Sequence, residues 1–283
     1  MPRLAVLGQP VAHSRSPVMQ NAALAELGLA PEWSYEAIEV APEDFAGLVA
    51  ELPGRGFAGV NVTVPHKLAA LAVADQASDA ARAIGAANTL TFTEGRVAAE
   101  NTDGLGIIEA LSRPPAGKRA LVMGAGGSAR AAIWALREAG AEVHVWNRTA
   151  TKAEALAREF GVEHAAGSTQ RADHPADFDL LVNATTVGLQ SANQGQPPDA
   201  SGFPDLKALP IDADALRARQ EVVDLVYGIN QTQLIAAANA AGATVIDGLE
   251  VLVRQGAASL RIWTGAEPPV EVMRAAARRE VVE

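Results

Sequence analysis

Few architectures accept an apolar strand that runs through a glycine turn straight into a helix, and residues 120–139 spell that order. Ala120-Leu121-Val122-Met123 reads as the end of a strand over Arg119–Met123. Gly124-Ala125-Gly126-Gly127-Ser128-Ala129 fits the pattern G-x-G-x-x-A, and Ser128–Ala139 reads as a helix closed by Gly140. The first glycine of such a turn permits its tight geometry, the second lets backbone approach a pyrophosphate, and the small third residue lets helix and strand pack closely. The helix start then offers free N–H groups and the positive end of its dipole to phosphates. A glycine pattern alone is weak, because a plain tight turn uses the same residues. The strand before it and the helix after it are what point to a dinucleotide.

The second strand of the unit, Glu142–Trp146, bears on which dinucleotide. NAD enzymes usually end that strand with Asp or Glu, which binds the ribose 2′-hydroxyl. Here it ends in Asn147-Arg148-Thr149, with Lys152 three residues on and no carboxylate. A guanidinium with amide and hydroxyl donors suits a 2′-phosphate, so the expected cofactor is NADP(H). Asn147 and Thr149 could also cap the next helix while Arg148 is solvated, a reading compatible with phosphate binding.

Because the fingerprint starts at residue 124, about 100 residues precede the dinucleotide unit and need a fold of their own. They alternate strand and helix: strands at Leu4–Leu7, Trp33–Val40 and Phe57–Val64, helices at Pro17–Leu27 (with Ser16 as N-cap), Glu43–Glu51 and Lys67–Ala74. Glu94-Gly95 between Thr89–Thr93 and Arg96–Ala99 is a hairpin signal. After Arg113-Pro114-Pro115-Ala116-Gly117 the alternation resumes. Thr151–Phe160, Thr232–Ala241 and Leu249–Trp263 read as helices, and Asp179–Asn183, Glu221–Leu225 and Ala243–Ile246 as buried strands. Such alternation predicts α/β architecture with parallel sheets flanked by helices. The expectation is two domains, residues 1–103 completed by returning C-terminal helices in 247–283, and a Rossmann-type domain over 104–246. Gly195-Gln196-Pro197-Pro198 reads as a loop.

Composition narrows the function. The chain has 283 residues and no cysteine, which excludes disulfides, thiolate chemistry and Cys-ligated metals. A net charge of −10 argues against nucleic-acid binding. No apolar run reaches the length of a membrane span, and Leu4–Leu7 stops at Gly8 without forming a signal peptide. A cytoplasmic protein without membrane contact, acting on a small molecule as monomer or homodimer, is expected.

The heptapeptide Asn61-Val62-Thr63-Val64-Pro65-His66-Lys67 carries the strongest chemical signal. Asn61 and Thr63 share one side of an extended segment. Pro65 should end the strand, leaving Lys67 just past its tip. Polar groups converging at the end of a buried strand are costly unless they bind something. Ser14-Arg15-Ser16-Pro17 places two hydroxyls at a helix start, Gly85-Ala86-Ala87-Asn88-Thr89 introduces a strand, and Asn101-Thr102-Asp103-Gly104 follows one. Taken singly, each has a plain structural explanation: a cap, a solvated lysine, a turn aspartate.

Together, in this order, these motifs resemble the shikimate dehydrogenase family over nearly the whole chain. The likeness runs from Gly8–Pro17 through Asn61–Lys67, Gly85–Thr89, Asn101–Gly104, Gly124–Arg130, Asn147–Thr149 and Asp224-Leu225-Val226-Tyr227 to Asp247-Gly248-Leu249 and Gln255. The resemblance implies reversible NADPH-dependent reduction of 3-dehydroshikimate to shikimate, a step toward chorismate and the aromatic amino acids, in a site between the two domains and without a metal. It implies that Ser14 and Ser16, with Tyr227, bind the substrate carboxylate. Asn61, Thr63, Asn88 and Gln255 would contact ring hydroxyls, and Lys67 and Asp103 would form the catalytic pair. Positioned beside the reacting ketone, an ammonium stabilises developing oxygen charge and can give up a proton; Asp103 would orient it and tune its pKa. Alongside Gly124, Ala125, Gly126, Gly127, Ser128, Ala129, Asn147, Arg148, Thr149 and Lys152, the resemblance assigns Thr185, Gly188, Leu225, Gly248 and Asp79 to the cofactor.

The chain departs from the family pattern twice. Gly228-Ile229-Asn230 stands where Asn-Pro usually follows the tyrosine, and Lys152 where arginine is common, which keeps charge but loses planar stacking on adenine. A quinate/shikimate dehydrogenase of broader substrate or NAD use, and a non-catalytic NADP-sensing module, are the alternatives. Ser16 and Arg148 speak against the first, and an intact Lys67 and Asp103 against the second.

Overall fold

The structure, a computed structural model, describes residues 1–165, 174–189, 192, 203–228 and 230–279. The loop expected at 195–198, and Ile229, lie outside the described residues. The chain forms two compact units, Met1–Gly106 with the segment from Leu252 onward, and Ile107–Val251.

The first unit holds a six-stranded sheet in the order β2-β1-β3-β5-β6-β4. Its strands are β1 (Arg3–Gly8), β2 (Ser34–Glu39), β3 (Phe57–Val62), β4 (Gln76–Ala77), β5 (Thr89–Thr93) and β6 (Arg96–Glu100). Central β1 is apolar over Leu4–Leu7 and buried on both faces, as a parallel strand covered by helices on both sides must be. β1 pairs in parallel with β2 and β3. The sheet is not wholly parallel, contrary to the expectation from alternation. Glu94 and Gly95 both adopt positive φ, 51° and 74°, closing a two-residue hairpin, so β5 runs antiparallel to β6 and to β3.

Helices α1 (Ser16–Glu26), α2 (Phe45–Glu51), α3 (Lys67–Ala72), α4 (Asp79–Ile84) and α5 (Asp103–Ala110) follow in sequence. Ser16 is the first helical residue rather than the cap: Arg15 holds the cap position, and the Ser14 Oγ accepts from the Ser16 N–H at 3.3 Å. Asp103 opens a helix instead of closing a turn. The C-terminal helices α9 (Gly248–Thr264) and α10 (Val270–Arg278) pack on this unit, where Leu260 and Met273 meet Leu4, Val6, Met19 and Leu24. Phe45, Leu52, Val60, Val62 and Leu90 form a separate core cluster.

The second unit holds β7 (Arg119–Met123), β8 (Glu142–Trp146), β9 (Glu163–His164), β10 (Leu180–Asn183), β11 (Glu221–Asp224) and β12 (Thr244–Ile246), with α6 (Gly127–Glu138), α7 (Ala150–Phe160) and α8 (Gln233–Ala240). Every pairing is parallel, in the order β12-β11-β10-β7-β8-β9. This is the doubly wound Rossmann order, which reverses between β7 and β10, and ligands of such sheets sit at the carboxyl ends of the strands beside that switch. Val122, Val145 and Val182 pack with Ile133, Leu136 and Leu156, while Leu121, Met123 and Leu181 pack with Phe178 and Leu234. The expected α/β class with two domains is what the structure shows.

Candidate active site

Lys67 begins α3, directly after His66. The His66 ring stacks on Phe45 with centroids 4.7 Å apart, and its Nε2–H donates to the Val40 carbonyl at 2.9 Å. This anchor holds the backbone from which Lys67 projects. A cation at a helix N-terminus opposes the helix dipole, so packing of α3 alone does not explain a lysine there. The compensation comes from Asp103. Lys67 Nζ donates to Asp103 Oδ2 at 2.6 Å, and both side chains are only 11 % exposed. Asp103 sits in the first turn of α5, where the dipole favours a negative charge.

The other oxygen of Asp103 accepts from Asn88 Nδ2 at 3.0 Å, and the Asp103 N–H donates to Asn101 Oδ1 at 3.1 Å. Asn88 Nδ2 also reaches Thr102 Oγ1 at 2.9 Å and Gln255 Oε1 at 3.0 Å, while Asn88 Oδ1 accepts from the Thr102 N–H at 2.7 Å. Beneath them Asn61 Nδ2 donates to Ser259 Oγ at 2.9 Å and to the Asn88 carbonyl at 3.1 Å, and Asn61 Oδ1 accepts from the Tyr35 hydroxyl at 2.8 Å. Thr89 Oγ1 lies 2.8 Å from Ser259 Oγ. The result is a buried, connected network of amides and hydroxyls whose one carboxylate, Asp103, points at Lys67.

The network also engages Asn61 within the protein. Its amide is buried and both its oxygen and nitrogen are engaged by protein, so it supports the site from below. Asn88 holds both Asp103 and Gln255. Thr63 is partly buried, with its methyl against Gly8, where a Cβ would come within 2.4 Å. Ser16 is buried, and its hydroxyl has no hydrogen bond among the described residues; Ser14 is half-buried. Asp79 stands at the start of α4 with its carboxylate fully exposed and paired with Arg82 at 2.7 Å.

Sequence reasoning missed Tyr35, Thr89, Thr102 and Ser259. One signal was present: Ser259 lies four residues after Gln255, on the same face of α9.

In the second unit Gly124 closes β7 with φ +129°, and its N–H donates to the Trp146 carbonyl at 2.8 Å. A Cβ on Gly124 would come within 2.7 Å of the Ala184 carbonyl oxygen, so the fold itself demands this glycine at the β7–β10 switch. Gly126 is different. It is extended, with φ −91° and ψ −173°, and a Cβ there would meet nothing within 4 Å. Nothing among the described residues requires that bare backbone, and the open space leaves room for a pyrophosphate laid against the start of α6. Ala125, Gly127, Ser128 and Ala129 complete the turn, with Ala129 buried under the sheet.

Arg148 and Lys152 are exposed near the end of β8, and neither is paired among the described residues. Thr149 precedes α7 but its hydroxyl makes no capping bond, while Asn147 Nδ2 donates to the Thr149 carbonyl at 3.1 Å. Capping by Thr149 therefore does not use up the group. An unpaired guanidinium with no carboxylate beside it fits a 2′-phosphate and disfavours a free ribose diol.

At the ends of β10 and β11, Thr185 Oγ1 donates to Asn183 Oδ1 at 2.7 Å, and Leu225 and Tyr227 lie in the segment after Asp224. Gly248 packs on Leu225, where a Cβ would approach the Leu225 carbonyl oxygen to 2.7 Å. Among the described residues no group of three or more His, Cys, Asp or Glu side chains could hold a metal, and no helix is long and apolar enough to cross a membrane.

Models of known families match most of the chain. The shikimate dehydrogenase substrate binding domain matches residues 6–90, shikimate/quinate 5-dehydrogenase residues 109–196, and the shikimate 5′-dehydrogenase C-terminal domain residues 248–278. An NADP(+) shikimate dehydrogenase of Thermus thermophilus is 46% identical over 281 residues, 99% of this chain and 98% of that protein. The crystal structure of shikimate 5-dehydrogenase from another strain of Thermus thermophilus, in complex with NADP(H) and shikimate, is 45% identical with a TM-score of 0.84, covering 99% of both chains. A ligand-free 5-ketofructose reductase of a Gluconobacter species is 32% identical with a TM-score of 0.82, covering 98% of this chain and 97% of its own.

Proposed function

This chain belongs to the shikimate dehydrogenase family, and from that membership and the geometry of Lys67 and Asp103 we propose that it interconverts 3-dehydroshikimate and shikimate with NADP(H). The observation that carries the reading is the 2.6 Å Lys67–Asp103 pair, largely buried and held by Asn88, on a network with no other carboxylate.

When bound, NADPH supplies the hydride that reduces the ketone carbon. Lys67 Nζ stands beside the ketone oxygen, stabilises its developing charge and donates the proton that completes the alcohol. In oxidation the same nitrogen takes that proton back. Asp103 keeps the ammonium aimed, and Asn88 and Asn101 keep Asp103 aimed. The Ser16 hydroxyl, together with Ser14, receives the substrate carboxylate, and Thr63 and Gln255 border the ring. Arg148, with Asn147, Thr149 and Lys152, takes the 2′-phosphate, and the backbone of Gly124–Ala129 takes the pyrophosphate. The substrate is a small molecule handled in the cytoplasm by a monomer or homodimer.

The test is absorbance at the reduced-nicotinamide band, with shikimate and quinate each offered NADP+ and NAD+, and 5-ketofructose offered NADPH. Turnover of shikimate with NADP+ alone is expected. Comparable rates with quinate or NAD+ would place the protein among the broader enzymes, a preference for 5-ketofructose would replace the substrate, and NADP+ binding without any turnover would overturn the catalytic reading.

A further inference from the structure

The carboxylate of Asp224, at the end of β11, is fully buried and has no cation beside it among the described residues. Its Oδ1 accepts from Asn183 Nδ2 at 2.9 Å and from the Val226 N–H at 3.1 Å, and its Oδ2 accepts from Thr232 Oγ1 at 2.6 Å. Its bonded neighbours are neutral donors: Asn183 from β10, Thr232 at the start of α8, and the backbone of its own segment. The carboxylates on β11 and just past β12 have other employment. Glu221, three residues back along β11, accepts from the Ser112 N–H, and Asp247 caps α9 through the Glu250 N–H. A buried anion without a counter-ion is costly, and this one serves no hydrophobic core.

Its three donors reach the two segments that follow β10 and β11. Asn183 passes the hold onward: its Oδ1 accepts from the N–H and Oγ1 of Thr185, and its Nδ2 donates to the Val187 carbonyl at 3.3 Å. Thr232 packs against Gly188, where a Cβ would lie 3.5 Å from the Thr232 Cβ. The Val226 N–H lies between Leu225 and Tyr227. We propose that Asp224 is a positioning residue for the nicotinamide half of the cofactor, its ionised carboxylate clamping the segments 184–188 and 225–227 in one arrangement. This deepens the reading above, and rests on it for the assignment of Thr185, Gly188 and Leu225 to the nicotinamide.

The clamp has a weaker state. A proton on Oδ2 must be donated to Thr232 Oγ1, which already accepts from the Ile235 N–H at 3.3 Å, and the Thr232 hydroxyl proton then loses its acceptor. Burial raises the Asp224 pKa to about 6, so this state is reached in mildly acidic solution. Asp224→Asn imitates it permanently, because an amide nitrogen can take the Oδ2 position while Oδ1 keeps Asn183 and Val226.

The experiment is calorimetric titration with NADPH and with 2′-phospho-ADP-ribose, which shares the 2′-phosphate and pyrophosphate but lacks nicotinamide. The ratio of the two affinities cancels titration of the shared phosphates. In wild type this ratio should fall about tenfold from about pH 8 to about pH 5, the loss of one buried charge-assisted hydrogen bond. Asp224→Asn should hold the low ratio at every pH, Thr232→Val should lower it, and Thr232→Ser should restore it. A ratio in Asp224→Asn equal to wild type throughout would overturn the proposal. So would equal weakening of both ligands, which marks a merely structural role, or a wild-type ratio indifferent to pH. Absence of shikimate turnover would sink the reaction assigned above without moving these ratios.

Discussion

Replacing Asp224 by asparagine should remove a pH-dependent cost from the protein's stability, in a direction the burial of this residue dictates. The carboxyl group has a pKa raised from 3.8 to about 6, mainly by desolvation, which the bonds from Thr232, Val226 and Asn183 only partly offset. In the unfolded chain the proton leaves near pH 4, while the folded protein keeps it until about pH 6. Across that window the native state binds more protons than the unfolded state, so this group lowers stability as pH rises. Roughly two units at 1.36 kcal/mol each give a cost of about 3 kcal/mol, fully present above about pH 6 and absent below about pH 4. Asparagine does not titrate. Urea unfolding of both proteins from about pH 4 to about pH 8 should show the variant gaining about 3 kcal/mol on wild type, with the change confined between about pH 4 and about pH 6. Subtracting the curves removes the other carboxylates and any constant cost of the substitution. A difference that stays flat with pH, or that moves against the variant, would mean the folded protein does not disfavour the ionised form, and the account of an uncompensated buried anion would be wrong.

Lys67→Ala should lower kcat by about 10²–10⁴-fold with a smaller change in KM for shikimate, measured by initial rates of NADP+ reduction; activity equal to wild type would remove Lys67 from the chemistry. Arg148→Ala should raise KM for NADP+ by about 10-fold or more, since a charge-assisted bond of about 1.5–3 kcal/mol is lost, and should produce no matching change with NAD+, which lacks the 2′-phosphate. Gly124→Ala should destabilise the fold by about 1–3 kcal/mol in thermal unfolding, because a Cβ is driven onto the Ala184 carbonyl at a φ of +129°. Gly126→Ala, with open space around its Cβ, should leave the melting temperature unchanged and weaken NADPH binding in a fluorescence titration; a lowered melting temperature would show that this glycine serves the fold rather than a ligand.

The Rossmann unit was legible in the sequence because its signals are local. Strand Arg119–Met123 and strand Glu142–Trp146 fall on the residues that apolar runs and glycine punctuation predict, and Gly124 takes the positive φ that the fingerprint requires. The mixed first sheet was harder to read. The Glu94-Gly95 hairpin was visible, yet its partner β3 is about thirty residues away in sequence, and nothing local says that β5 adds antiparallel to it. The start of α5 at Asp103 was hidden because Asp-Gly favours turns, and here tertiary contacts with Lys67 and Asn88 hold a helix start instead. Motif resemblance drew the polar residues of the site together, but the division of labour among them came from hydrogen bonds across long sequence separations. Asn61 is enclosed by Tyr35, Asn88, Thr89 and Ser259, and no spacing rule reveals that.

That enclosure explains why the site is built from neutral groups. A carboxylate at Asn61, Asn88 or Gln255 would compete with Asp103 for Lys67 and would itself need a cation in a region with little water. Amides and hydroxyls can both donate and accept, so each satisfies its neighbour without adding charge. Asn88 shows the consequence most directly. Its nitrogen serves Thr102, Asp103 and Gln255 while its oxygen takes the Thr102 N–H, which joins the start of α5 to the middle of α9 through one side chain. Gly106 packs in the same place, where a Cβ would come within 2.8 Å of the Gln255 backbone nitrogen. Close helix contact and a neutral network thus act together to leave a single carboxylate, Asp103, fixed in front of a single ammonium.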